Sequence, residues 1–141
     1  MSWESFYTAS EFQRQVGQQE IAAEHLEQAA NHLLQTINTH PTATYDNALA
    51  LASILLNNYH DFDRAERVYK AAIERKPRHY AGYHELAATL QGGGKVQEAL
   101  QLVENFQKNY GMNDSAENDR LTLENAMTNR PEPIMEKTPP Q

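Results

Sequence analysis

The stretch that decides the fold is DFDRAERVYKAAIERKP, residues 61–77. Within it, Ala65, Tyr69 and Ala72 follow one another at intervals of four and three residues, which places them on one face of a helix. Charged side chains occupy most of the other positions, and Pro77 cannot continue a helix. The stretch therefore predicts an amphipathic helix that packs through a face of small and aromatic residues.

A related pattern returns further along the chain, with a period of about 34 residues that indicates an internal repeat. The pairs that share this offset include Ala65 and Ala99, Leu56 and Leu90, and Pro77 and Gly111. A repeat of this length has room for two short helices and the turn between them. The sequence therefore predicts helix-turn-helix units that each bury an apolar face against the next unit.

Residues 61–77 closely resemble the second half of a tetratricopeptide repeat, and residues 94–111 match the same pattern more loosely. The resemblance implies an all-α fold of antiparallel helix-turn-helix repeats, stacked as a short right-handed superhelix with a C-terminal capping helix. The units implied are about 10–43, 46–79 and 80–113, with the capping helix at 114–129. Residues 1–129 would form this single domain, and the Pro-rich residues 130–141 are expected to be a disordered tail.

The sequence before residue 46 leaves two interpretations open. In the first, a complete repeat unit places Gly17 where a small residue packs between two helices. The interval from Pro41 to Pro77 exceeds the repeat offset and then requires two inserted residues. In the second, one continuous helix runs from Gln18 to His40, and a short helix precedes it. Both interpretations keep this part of the chain helical.

Local signals predict where several helices begin. A Thr or Asp followed three residues later by Glu is typical of a capping box at a helix N-terminus. The pairs are Thr8 with Glu11, Asp63 with Glu66, and Asp114 with Glu117. They predict helix starts at these positions.

Composition restricts the classes of function. The chain carries 19 acidic and 12 basic residues, a formal net charge of −7, so general binding to nucleic acid is not expected. It has no cysteine, which excludes disulfides, thiolate metal sites and a cysteine nucleophile. No secretory signal is recognisable, and no run approaches the ~20 apolar residues of a membrane-spanning helix. The sequence predicts a cytoplasmic location.

Basic residues concentrate in the second unit, among them Arg64, Arg67 and Arg75. The helix that carries them is expected to face the convex side of the stack, where charged residues are commonly solvated. The alternative is a docking patch for an acidic partner, or for an acidic segment of the chain itself. RNA binding by the strip from Arg64 to Arg78 is a third hypothesis, which the net charge disfavours.

Aromatic residues are dense at the start of the chain, where Trp3, Phe6, Tyr7 and Phe12 follow one another closely. Their spacing predicts a helical segment that covers the first unit. The alternative is an exposed aromatic patch that drives dimerisation.

The resemblance also implies a concave surface, lined by the first helix of each unit, that binds an extended peptide or a helix of a partner protein. The predicted partner-binding residues are Arg14 and Gln18 from the first unit, Asn47, Ala50, Ile54, Asn57 and Asn58 from the second, and His84, Ala88 and Gln91 from the third. Asn and Gln side chains donate and accept hydrogen bonds, which suits the main chain of an extended peptide. The alternative for Asn57 and Asn58 is that they only end a helix before a turn.

The residues offer no catalytic or metal-binding constellation. His84-Glu85 begins like a zinc-protease motif, but Ala88 stands where the second histidine ligand is needed. Residues 92–94 are three glycines without the preceding strand or the Gly-Lys-Ser/Thr ending of a phosphate loop. We therefore expect no enzyme, no metal site and no cofactor.

The sequence predicts an adaptor or chaperone-like module that binds a protein or peptide partner. The alternative is a self-assembling structural or scaffold subunit that forms a homo-oligomer, because a short stack of repeats leaves its ends open. The partner's identity does not follow from the fold.

Overall fold

The computed structural model describes residues 3–37 and 41–128, and for residues 41–43 it describes the backbone alone. The described residues form seven α-helices and no strand, which confirms the predicted all-α class. The helices are α1 (Trp3–Gln15), α2 (Gln19–Gln35), α3 (Pro41–Tyr59), α4 (Phe62–Arg75), α5 (Tyr80–Gly92), α6 (Val96–Tyr110) and α7 (Asp114–Thr128). The tail predicted at residues 130–141 lies outside this part of the chain.

The helices pack in the order of the chain. Each helix contacts the next, and three pairs of next-but-one neighbours also touch, namely α2 with α4, α3 with α5, and α5 with α7. Because the turns within the pairs α1/α2, α3/α4 and α5/α6 are short, each pair is an antiparallel hairpin. Successive hairpins therefore share one continuous apolar core, and α7 covers its C-terminal end.

The first hairpin begins earlier than the sequence predicts. Its turn lies at Gly17, which has a left-handed φ of +86°, and the Gln18 N–H donates to the Gln13 carbonyl at 2.8 Å. Nothing lies within 4 Å of where a Gly17 side chain would start, so Gly17 does not pack between helices as predicted. It turns the chain, because glycine adopts a positive φ without steric cost. The hairpin therefore covers Trp3–Gln35 instead of 10–43, and α2 begins close to the start of the alternative continuous helix.

The repeat offset relates only the second and third hairpins. Their turns hold His60 (φ +53°) and Gly94 (φ +83°) in the same left-handed conformation, at equivalent positions of the repeat. The interval from Gly17 to His60 is longer than the interval from His60 to Gly94, because α2 and α3 are longer than α4 and α5. The repeat therefore lengthens towards the N-terminus.

The predicted helix starts are confirmed at Asp114 and to within one residue at Asp63, but the residues that cap these helices differ from the predicted ones. Thr8 lies inside α1, whereas α4 is capped by Asp61, whose carboxylate accepts from the Arg64 N–H at 3.0 Å. The side chain of Asn113 caps α7 by accepting from the Ala116 N–H at 2.9 Å. The cap is the residue that precedes the helix, and Asp63 and Asp114 instead lie in the first turn. There their charge favours the positive end of the helix dipole without capping it.

Small residues bring the helices of the core together. Ala65, Tyr69 and Ala72 are completely buried on α4, which is the face that the sequence predicts. On α3, the fully or nearly buried residues are Thr44, Tyr45, Ala48, Leu51, Ala52 and Leu55. The core therefore alternates alanines, which let backbones approach, with large side chains that fill the space between them.

The aromatic residues of α1 divide into two groups. Trp3, Phe6 and Tyr7 are half-buried and pack against the core, and the Phe6 ring lies 6.4 Å from the His32 ring on α2. Phe12 is 60% exposed. The covering role predicted for this segment therefore holds for the first three residues, and Phe12 remains on the surface. Within the described residues, no helix has both the length and the apolar character needed to cross a membrane.

Candidate partner-binding surface

The predicted residues of α3 lie along one face of that helix. Asn47, Ala50, Asn57 and Asn58 are exposed, and Ile54 is half-buried among them. Asn47, Ala50, Ile54 and Asn57 are three or four residues apart, and Asn58 is four residues from Ile54, which puts the five on one face of the helix. The Asn57 amide donates to Ser53 Oγ at 3.1 Å within the same helix. The α3 face is thus a narrow strip of amides and small apolar groups.

A second strip runs along α5, where His84 and Ala88 are exposed and Gln91 is half-buried. Helix α7 lies beside it and is fixed by one carboxylate. Asp119 Oδ2 accepts from the Tyr80 hydroxyl at 2.6 Å and lies 2.7 Å from His84 Nδ1. The side chain of Asp119 is 17% exposed, so these two contacts satisfy a carboxylate that is largely shielded from water.

Burial and then the neighbouring Asp119 raise the pKa of Tyr80 well above its ordinary value. The hydroxyl therefore keeps its proton and remains a hydrogen-bond donor to Asp119 across the neutral range. This holds the start of α5 against the middle of α7. The residues of α5 that face outward are consequently presented on a fixed helix.

A hollow of about 210 Å³ lies between α5 and α7. Its lining consists of His84, Ala87, Ala88 and Gln91 from α5 and of Asp119, Thr122 and Leu123 from α7. Ala87 and Leu123 are buried and form an apolar floor, while His84, Gln91 and Thr122 supply polar groups at the rim. Because small-molecule sites usually measure about 300–1,000 Å³, this hollow suits one inserted side chain better than a whole cofactor. We call it the α5–α7 hollow.

The residues predicted from the first unit lie elsewhere. Arg14 is on α1 and pairs with Glu11 of the same helix at 2.6 Å. Gln18 lies in the turn that precedes α2, so its predicted placement on a first helix is wrong. The cause is the left-handed turn at Gly17, which ends α1 before that position. The structure therefore brings together His84, Ala88 and Gln91, and it separates Gln18 from them.

Sequence reasoning missed the contribution of α7. It gave that helix a capping role only, although a helix that follows the last hairpin takes the position of the next first helix. The signal was available in the repeat, because the offset that relates Leu56 to Leu90 also relates Ala88 to Thr122, which lines the same hollow. Asp119 has no such signal, since its role depends on two side chains that reach it from α5.

Electrostatically, the strips on α3 and α5 lack cations. Neither helix contains Lys or Arg, and each has a single carboxylate, Asp46 on α3 and Glu85 on α5. Arg120 of α7 pairs with Glu117 and Glu124 on its own helix. The strips on α3 and α5 therefore carry no Lys or Arg that could neutralise an anionic ligand.

Two of the three arginines of α4, Arg64 and Arg67, form ion pairs inside the molecule. Arg64 lies 2.7 Å from Glu20 on α2 and 2.7 Å from Asp61, and Arg67 lies 2.8 Å from Glu27 on α2. The hydrogen bonds to Asp61 and then Glu20 raise the pKa of Arg64 above its ordinary value. These two residues of the predicted basic patch therefore bind an acidic helix of the chain itself.

In the part of the chain that the structure describes, no three His, Asp or Glu side chains are grouped to hold a metal ion. No protein-family model matches the sequence, and no curated protein does.

Proposed function

We propose that this chain is a protein-interaction module that holds a segment of a partner protein against α3, α5 and α7. The observation that carries the proposal is the α5–α7 hollow, lined by the three residues predicted from the third repeat unit. We also propose that the fold is of the tetratricopeptide type. The left-handed φ that His60 and Gly94 both adopt, at equivalent positions of the repeat, supports that assignment.

The hollow favours one anchoring side chain of moderate size. Its volume of about 210 Å³ and its floor of Ala87 and Leu123 suit an aliphatic or Met side chain. Gln91 and Thr122 at the rim can bond to the main chain on either side of the anchor. The strip of asparagines on α3 then offers further amide contacts to an extended chain. The absence of Lys and Arg from α3 and α5 favours a neutral or basic segment over an acidic one.

The experiment selects binding peptides from a random display library with the full chain and compares two variants. Ala88→Leu places a branched side chain in the hollow. Ala81→Leu is the matched control, because Ala81 is also exposed on α5 and does not line the hollow. Dissociation constants are measured by fluorescence anisotropy, and folding is checked by thermal unfolding.

We expect Ala88→Leu to weaken binding about tenfold or more, because expelling one apolar anchor costs roughly 1.5–3 kcal/mol. Ala81→Leu should bind as the unchanged chain does. If Ala88→Leu folds and binds equally well, the groove assignment is wrong. If the selection yields no peptide that binds the unchanged chain better than the Ala88→Leu variant, the proposed peptide-binding function is not supported.

A second candidate function is self-assembly. Phe12 is 60% and Val16 54% exposed, and the two lie one helical turn apart near the turn of the first hairpin. Exposed apolar side chains that form a contiguous patch commonly mark association surfaces. A mass that rises with concentration in light scattering, and that Phe12→Ser returns to one chain, would favour assembly over peptide binding. The cytoplasmic location expected from the sequence stays a prediction.

A further inference from the structure

The segment that ends α4 and joins it to α5, residues 75–79, concentrates cations that have no carboxylate partner among the described residues. We call this segment, Arg75-Lys76-Pro77-Arg78-His79, the basic turn. Six described cations have a carboxylate within 4.0 Å, namely Arg14, Arg64, Arg67, Lys70, Lys95 and Arg120. Among the described residues, the cations without such a carboxylate are Arg75, Lys76, Arg78 and Lys108. Three of those four therefore lie within one turn of a chain whose net charge is −7.

The backbone of the basic turn is held in place. The Tyr83 hydroxyl donates to the Pro77 carbonyl at 2.7 Å, and the His79 N–H donates to the Lys76 carbonyl at 3.1 Å. Pro77 itself has a fixed φ. A ligand would consequently meet a turn that has little backbone freedom left to lose.

Two ring contacts orient its side chains. The Arg78 guanidinium lies over the Tyr110 ring of α6, 4.9 Å from its centre, which leaves the N–H edges of the guanidinium open. The His79 ring meets Tyr45 of α3 edge to face, with centroids 5.2 Å apart. The side chains of residues 75–79 border a shallow hollow of about 310 Å³. Cations around an open hollow form a surface that can receive anions.

The helix dipole explains only part of this cluster. Arg75 lies in the last turn of α4, where a cation is favoured by the negative end of the helix. Arg78 lies beyond the helix and is exposed, so the dipole of α4 does not account for it. The concentration of charge at this turn therefore has a further cause.

We propose that the basic turn binds an acidic segment of a partner protein, with at least two carboxylates within a few residues of each other. Guanidinium groups bind carboxylates through paired N–H bonds, which fits Arg75 and Arg78. A nucleic acid fits less well, because affinity for a phosphate backbone needs many contacts and this chain is acidic outside the turn. The site shares no residue with the α5–α7 hollow, so it is independent of the function proposed above.

The probe is a labelled ten-residue peptide of alternating Glu and Ser, with a Gln and Ser peptide as its neutral counterpart. It is titrated into the full chain, and the binding site is mapped by backbone amide shifts in NMR. The test variant carries Arg75→Gln, Lys76→Gln and Arg78→Gln. The matched control carries Lys70→Gln, Lys95→Gln and Lys108→Gln, which removes the same charge from exposed positions outside the turn.

We expect the largest amide shifts at residues 75–79, and we expect the test variant to bind the acidic peptide at least tenfold more weakly. The control variant should lose less than about twofold, and the neutral peptide should bind at least tenfold more weakly than the acidic one. Affinity should fall as salt rises, since the contacts are ionic. Ala88→Leu should bind the acidic peptide unchanged, which separates this site from the groove.

Three results would overturn the proposal. The first is an equal loss of affinity for the acidic peptide in both triple variants, which would mean that only the net charge of the chain matters. The second is binding of a ten-nucleotide RNA at the turn without binding of the acidic peptide. The third is tighter peptide binding when Glu132 and Glu136 are changed to Gln, which would assign the turn to the chain's own C-terminal segment.

Discussion

The two edges of this helical stack are held together by different forces. Along the edge that carries the hairpin turns, ion pairs join successive hairpins: Arg64 to Glu20 at 2.7 Å, and Lys95 to Glu66 at 3.9 Å. Along the opposite edge, where one hairpin connects to the next, Tyr45 and the basic turn hold the chain by rings and hydroxyl groups. Charge therefore stabilises the stack at the first edge and remains available for a ligand at the second.

The difference follows from which residues face each other. At the hairpin-turn edge, α2 presents carboxylates to the arginines of α4, and opposite charges on packed helices pair. At the connecting edge, Arg78 of the basic turn faces Tyr110 and His79 faces Tyr45. A cation above a ring is stabilised without losing its charge, so it can still attract an anion.

The largest effect is expected at the connecting edge, from Gly82→Val. The Gly82 N–H donates to the Tyr45 hydroxyl at 3.0 Å, and an added Cβ would lie 2.7 Å from that oxygen and 3.2 Å from Ile73. Overpacking of this kind should cost about 2–3 kcal/mol of unfolding free energy. Urea denaturation measures it, with Ala81→Val as the control on the exposed side of the same turn. Equal stability of the two variants would mean that α3 and α5 do not approach as closely as described.

The second prediction compares one arginine from each edge. Arg64→Met should lower the unfolding free energy by about 1–2 kcal/mol, because it leaves Asp61 without its cation in a partly shielded site and leaves Glu27 with Arg67 alone. Arg75→Met should change stability by less than ~0.5 kcal/mol, since exposed residues without partners contribute little. The difference in unfolding free energy between the two variants should become smaller in high salt. Similar losses for both would remove the distinction between the edges.

The sequence predicted the second and third hairpins because their packing faces are local patterns. Ala65, Tyr69 and Ala72 recur at helical spacing, and the repeat offset leads from Ala65 to Ala99. The start of α2 carried no comparable signal, since its cap residue Gln18 makes no side-chain hydrogen bond to the helix. A helix start that is stabilised only by tertiary packing leaves no mark in the local sequence.

The candidate surface was also predictable only in part from the sequence. His84, Ala88 and Gln91 follow from helical spacing on α5, and the structure places all three at one hollow. Leu123 and Asp119 line it from a helix that follows in sequence, and only the packing of α7 on α5 brings them there. Likewise, basic composition alone did not show that Arg64 pairs with carboxylates whereas Arg75 has none within reach in the described part of the chain.

The smallest effect is expected from His60→Gly at the hairpin-turn edge. His60 has the left-handed φ of +53° that its counterpart Gly94 adopts at +83°. A residue with a side chain is strained in that conformation by roughly 1–2 kcal/mol, and glycine avoids this strain. Part of the stabilisation is offset, because glycine also gives the unfolded chain more conformational entropy. The variant should therefore be more stable by about 0.5–1 kcal/mol in urea denaturation, while Gly94→Ala should be less stable by a similar amount. Stability changes of opposite sign at the two turns would show that both hairpins adopt the same backbone conformation with different residues at this position. A loss of stability in His60→Gly would instead show that the His60 side chain contributes contacts that outweigh the strain of its backbone.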